Sequence, residues 1–221
     1  MTARPTATPG ASLPVPGTRP LGLVAEGDPL LHVPPALPAG RPAPLVITLH
    51  GAGGDAVAGL ALLRALADER GLLLLAPSSR GPTWDAIRNG YGPDLELLDR
   101  ALDRVFSTVR VDAEQVAVAG FSDGASYALG VGLANGALLR RVVAFSPGFV
   151  PRGPRAGRPA VFVSHGVADE VLPVARTSGR IVPALRDDGY DVTYREFAGP
   201  HTVPPEVARE AVDWLDPDGP R

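Results

Sequence analysis

The stretch from Gln115 to Leu129, Gln-Val-Ala-Val-Ala-Gly-Phe-Ser-Asp-Gly-Ala-Ser-Tyr-Ala-Leu, restricts the fold of this chain more than any other. Val116 to Ala119 is a short apolar run suited to a buried strand, and it breaks at Gly120. From Asp123 an Ala- and Leu-containing segment compatible with a helix begins. Strand, sharp turn and helix packed this closely leave no room for side chains on either side of the turn, which accounts for glycine at 120 and 124. The residue lifted between them is Ser122. The new helix would aim unpaired N–H groups and its positive end at whatever Ser122 approaches, an arrangement suited to a developing oxyanion and hence to acyl transfer. The pentapeptide alone is weak evidence: with 26 glycines in 221 residues, about a tenth of a match is expected by chance.

The rest of the chain repeats the strand-then-helix pattern. Pro44 to His50 reads as a buried strand leading into the loop Gly51-Ala-Gly-Gly54, and Asp55 can cap a helix that carries Leu60, Leu63, Leu66 and Ala67 as far as Gly71. Leu72 to Ala76 is the next strand. Pro77 to Gly90 is a loop containing Arg80 and Trp84, where the tryptophan either lines a pocket or packs the loop down. Pro93 to Val109 reads as an amphipathic helix with Asp99 and Asp103 outward. Strands are then expected at Arg141 to Phe145, Ala160 to Ser164 and Asp191 to Phe197, with helices at about Val174 to Asp188 and Pro205 to Leu215. Such alternation predicts an α/β fold, a mostly parallel central sheet with helices on both faces, and leaves little room for a large cap domain.

Leu21 to Glu26 and Leu30 to Val33 read as an edge hairpin around Gly27-Asp28-Pro29. Residues 1–20, rich in Pro, Thr, Ala and Gly, read as a flexible arm, so residues 21–221 are expected to form a single catalytic domain. No stretch has the length of a membrane-spanning helix, and the start lacks the pattern of a secretory signal, so a cytoplasmic location is the expectation.

Composition removes several chemistries. There is no cysteine, which excludes disulfides, a thiol nucleophile and thiolate metal sites. All 21 basic residues are arginine, so a Schiff-base lysine and a P-loop lysine are absent, and the glycine-rich loop after His50 is better used to bring backbone N–H groups to an oxyanion. A net charge of −3 without a basic stripe argues against nucleic acid. No cofactor and no metal are expected.

A serine hydroxyl needs a base within hydrogen-bond reach, and the base needs a carboxylate to fix its tautomer. Of the four histidines, His32 is expected to be structural or exposed and His50 to orient the glycine loop. His165 competes with His201 as base, but it opens its own acid loop, and His201, in the loop after the last strand, is the better candidate. Asp169 is favoured over its neighbour Glu170 as the carboxylate. Ser122, Asp169 and His201 then stand in the chain order of the α/β-hydrolase arrangement, each following a predicted strand.

Leu49-His-Gly-Ala-Gly-Gly54, Gly120-Phe-Ser-Asp-Gly124, His165-Gly-x-x-Asp169 and Gly199-Pro-His201 together resemble the motifs of the phospholipase/carboxylesterase family, small lidless serine esterases and thioesterases of the α/β-hydrolase fold. The resemblance runs from about Pro44 to Leu215. It implies that the backbone N–H groups of Ala52 and Asp123 form the oxyanion hole; the small-molecule acyl ester expected as substrate follows from the open cleft that the lack of a cap leaves. His50, Gly51 and Trp84 are candidates for the pocket. Asp123 departs from the many relatives that carry Gln there, and its carboxylate is expected to turn away from the oxyanion or to bind helix N–H groups. The expected activity is hydrolysis of short- to medium-chain acyl esters through an acyl-enzyme on Ser122. Thioester hydrolysis and acyl transfer to another acceptor use the same groups, and a non-catalytic binding protein of this fold is the remaining alternative.

Overall fold

The computed structural model describes residues 1–5, 15–37, 40–88 and 90–215. Eight strands form one sheet in the order β1-β2-β4-β3-β5-β6-β7-β8. The ranges are β1 Gly17–Pro20, β2 Leu30–Val33, β3 Ala43–Leu49, β4 Leu73–Ala76, β5 Val111–Phe121, β6 Arg141–Phe145, β7 Ala160–Gly166 and β8 Val192–Phe197. The β1–β2 and β2–β4 pairs are antiparallel and the other five are parallel. The helices are α1 Ala56–Ala61, α2 Arg64–Arg70, α3 Asp85–Arg88, α4 Pro93–Thr108, α5 Asp123–Ala134, α6 Ser178–Asp187 and α7 Pro205–Leu215.

Each sheet face has its own apolar core, as the near-continuous hydrophobic strands require. Leu45, Ile47 and Leu49 of β3 join Leu98, Leu102 and Phe106 of α4, Leu129 of α5 and Ile181 and Leu185 of α6 on one face. Val46 of the same strand points the other way, among Leu60 of α1, Leu66 of α2 and Val207 and Ala211 of α7. This is the α/β sandwich anticipated from the alternating pattern, and among the described residues no cap domain interrupts it.

The N-terminal region departs from expectation. The strand expected at Leu21 to Glu26 lies at Gly17–Pro20, paired with β2 from Gly17↔Val33 to Pro20↔Leu30. Residues 21–26 form a loop instead, because the Asp28 carboxylate collects the N–H groups of Gly22, Leu23 and Val24 and withdraws them from a ladder. Part of the predicted arm, residues 6–14, lies outside the described residues. Its first residues are docked on α4: the N–H groups of Thr2 and Ala3 and the Thr2 hydroxyl all donate to Asp99, and Ala3 is buried. Asp99, expected to face solvent, is therefore the anchor of the chain start.

Two helix boundaries also differ. The helix expected between Asp55 and Gly71 is broken into α1 and α2 at Leu62 and Leu63, and the one expected from Val174 begins at Ser178 after a 3-10 turn at Val174–Arg176.

Candidate active site

Ser122 stands between β5 and α5 with φ 57° and ψ −119°, a strained conformation for a residue with a side chain. The two glycines around it permit the turn. A Cβ at Gly120 would lie 2.2 Å from Gly124 O, and one at Gly124 would lie 2.3 Å from Leu49 O. The turn is fixed from β6, since Ser122 N–H donates to Phe145 O at 2.9 Å.

The loops after β7 and β8 bring the other two groups to this point. Ser122 Oγ lies 2.9 Å from His201 Nε2, and His201 Nδ1 lies 2.6 Å from Asp169 Oδ2. The ring of His201 rests on Phe121, the residue before the serine, with centroids 4.7 Å apart. Hydroxyl, imidazole and carboxylate are thus joined in the order needed to take a proton from the serine.

Asp169 is the buried acid of its loop and Glu170 is exposed, which separates the two carboxylates the sequence offered. Its Oδ1 accepts from Val171 and Leu172 N–H at 2.9 and 2.7 Å, while Oδ2 faces His201 and, at 3.1 Å, His165 Nε2. Burial works to raise the Asp169 carboxyl, but the Leu172 N–H, the His201 bond and the two imidazoles outweigh it and hold it below the ordinary aspartate range.

His165 is fully buried and both its nitrogens are engaged, Nδ1 with the Ser178 hydroxyl at 2.6 Å and Nε2 with Leu172 O at 2.7 Å. Burial lowers its pKa, and its two hydrogen bonds brace the acid loop. That is the shaping role read for it from the sequence.

The candidate oxyanion donors lie where the strand ends require. Asp123 N–H opens α5 beside Ser122, and Ala52 is exposed in the loop after β3. Among the described residues neither amide donates to another protein group. The Asp123 carboxylate does not cap its own helix; it accepts from Thr83 Oγ1 at 2.6 Å.

Two of the three pocket candidates are corrected. Trp84 is fully buried, its Nε1–H donating to His50 O at 2.9 Å and its ring stacked on Tyr127 at 5.0 Å. His50 is also buried, with Nδ1–H donating to Gly51 O and Nε2 accepting from Ser79 N–H, and burial lowers its pKa. Both rings pack beneath the glycine loop, with their polar atoms bonded to Gly51 O, Ser79 N–H and His50 O. Gly51 alone is near the serine, a Cβ there falling 3.4 Å from Ser122 Cβ. Phe121 and Thr83 escaped the sequence reading, since nothing in their spacing marks a residue that touches the site across the fold. Among the described residues no helix is long and apolar enough to cross a membrane.

A family model described as Phospholipase/Carboxylesterase matches residues 91–216, more than half of the chain and including all three members of the constellation. The chain belongs to the phospholipase/carboxylesterase family. The family is the one that the four motifs resemble. Among curated relatives of this family member, the protein named "Putative esterase NocK" of Nocardia uniformis subsp. tsuyamanensis is 31% identical over 151 residues, covering 63% of this chain and 43% of that one. The chain therefore spans less than half the length of that relative. Among solved structures, esterase PE8 superimposes with a TM-score of 0.66 at 27% identity, over 84% of this chain and 97% of that one. The phospholipase/carboxylesterase of Dyadobacter fermentans DSM 18053 shares the fold, with a TM-score of 0.61 at 24% identity over 85% of this chain and 95% of the other.

Proposed function

We propose that this family member is a serine carboxylesterase that hydrolyses short- to medium-chain acyl esters, and that Ser122, His201 and Asp169 are its catalytic residues. The observation that carries the proposal is the unbroken chain from Ser122 Oγ through His201 to the buried Asp169 carboxylate.

In this reading Ser122 Oγ attacks the ester carbonyl while its proton passes to His201 Nε2. Asp169 stabilises the imidazolium through the Nδ1 bond. The N–H groups of Ala52 and Asp123 receive the negative oxygen of the tetrahedral intermediate. As the intermediate collapses, the C–O bond to the alcohol breaks and His201 returns the proton to that oxygen, leaving an acyl ester on Ser122. Water then adds to the acyl carbonyl, giving a proton to His201, and the acid departs as Ser122 recovers it.

The preference for shorter acyl groups is supported by the openness of the site. Ser122 and His201 are both partly exposed, Ala52 and Gly53 are exposed, and no cap among the described residues encloses a long chain. The test is hydrolysis of p-nitrophenyl esters from acetate to palmitate by the wild type and Ser122→Ala. Turnover should be highest from acetate to octanoate and should fall on the order of a million-fold in the mutant. A mutant that keeps most of its activity removes Ser122 from the mechanism, and a maximum at palmitate contradicts the acyl-length assignment.

A further inference from the structure

One group at the site opposes the chemistry proposed above. Asp123 offers its N–H to the oxyanion and carries a half-buried carboxylate on the same residue. Two negative charges a few ångström apart on half-buried groups repel, so the direction of that side chain decides whether the residue helps or hinders.

The carboxylate is held. Thr83 Oγ–H donates to Asp123 Oδ2 at 2.6 Å, the length of a hydrogen bond to a charged acceptor, and among the described residues this is the carboxylate's only hydrogen-bond partner. Thr83 sits in a loop that is itself tied down. Ser79 N–H donates to His50 Nε2 at 3.0 Å, Ser79 Oγ donates to Gly81 O at 2.8 Å, and Trp84 Nε1–H donates to His50 O. Pro82 O, next to Thr83, accepts from Gly53 N–H at 2.7 Å. Residues 79–84 therefore bond to both stretches that carry the candidate oxyanion donors: the glycine loop through Gly53 and the start of α5 through Asp123.

The geometry points to Thr83 as a positioning residue for the oxyanion hole: its hydroxyl pins the Asp123 carboxylate to the neighbouring loop and keeps it from turning on the developing negative charge. This rests on the reading of Ser122 as nucleophile. The threonine hydroxyl is suited to the task because it donates one proton without adding a charge, so the hole keeps two neutral N–H donors and the acid is restrained rather than neutralised. Serine offers the same donor, whereas valine has nearly the same shape and none.

The test compares Thr83→Val, Thr83→Ser, Asp123→Asn and the Val/Asn double variant. The readouts are kcat and KM for p-nitrophenyl butyrate and the second-order rate of labelling by a fluorophosphonate, which also places a negative oxygen in the hole. Thr83→Val should lower kcat and the labelling rate about tenfold with KM changed less than twofold, and Thr83→Ser should recover most of the loss. In the Asp123→Asn background the same Thr83→Val step should cost less than twofold, because no charge remains to be restrained. An equal loss in both backgrounds would mean that Thr83 only supports the loop, and an unchanged kcat with Asp123 intact would likewise overturn the assignment. A wild type that neither turns over ester nor takes the label overturns the nucleophile reading and this inference with it; a labelled wild type with indifferent Thr83 variants overturns this inference alone.

Discussion

The two bonds of His201 assign its proton. Nδ1–H donates to the Asp169 carboxylate, so Nε2 is the acceptor facing the Ser122 hydroxyl, and the tautomer needed for general-base catalysis is the one the acid loop selects. Asp169→Asn offers an amide that can stabilise the other tautomer, and a loss of about ten-thousand-fold in kcat is the expected result with KM little changed. The same substitution should alter acid stability. The Asp169 carboxyl is more acidic in the folded chain than in an unfolded one, so its ionised form favours folding above the ordinary aspartate range, near pH 4, and that contribution is lost as pH falls through the lower folded value. Melting curves between pH 6 and pH 3 should therefore fall less steeply for Asp169→Asn than for the wild type. At this scale the sequence singled out Ser122, Asp169 and His201 because each follows a strand, and the structure brings the three within hydrogen-bond reach. The sequence left Trp84 and His50 open between pocket and loop packing, because their large polar rings suit either, and only the inward partners decide.

Among the elements, the junction of β5 with α5 is the least tolerant. Gly124→Ala would set a methyl group against two backbone carbonyls, Leu49 O at 2.3 Å and His50 O at 2.4 Å, neither of which belongs to a flexible side chain. A destabilisation of about 3 kcal/mol is expected, which for a chain of this size lowers Tm by roughly 10 °C. The loop after β4 behaves differently. Trp84→Phe removes the donor to His50 O and should lower Tm through about 1–2 kcal/mol while leaving the acyl-length profile of ester hydrolysis unchanged; a shifted profile would return Trp84 to the pocket. Most strands and helices were legible from their apolar periodicity, β6 and α7 with their exact bounds. Where the reading failed, a side chain had overridden the pattern. Asp28 turned residues 21–26 into a loop, and Asp99 made an anchor of what composition presented as a free end. Such capture by a single carboxylate leaves no periodic trace.

Taken as a whole, the molecule gathers the carboxyl ends of its parallel strands at one edge, and the buried histidines below that edge make its stability depend on pH. Burial lowers the pKa of both His50 and His165, so an unfolded chain binds more protons than the folded one once pH drops below the ordinary histidine value of about 6.5. Stability is complete above that value and declines as pH falls toward the lower folded values. Tm should therefore drop between pH 7.5 and pH 5 in the wild type and equally in Ser122→Ala, whereas a flat profile would show that these rings are not held neutral. The fold could be inferred from the alternation of strands and helices, and the family from four short motifs, but the bonds of the 79–84 loop to Gly53 and to the Asp123 carboxylate exist only in three dimensions. The most direct test of the whole account is to treat the protein with a fluorophosphonate and locate the adduct by mass spectrometry of its peptides. The account predicts one adduct, on Ser122, absent from Ser122→Ala and strongly slowed in His201→Ala. An adduct on any other serine, or none at all, would contradict it.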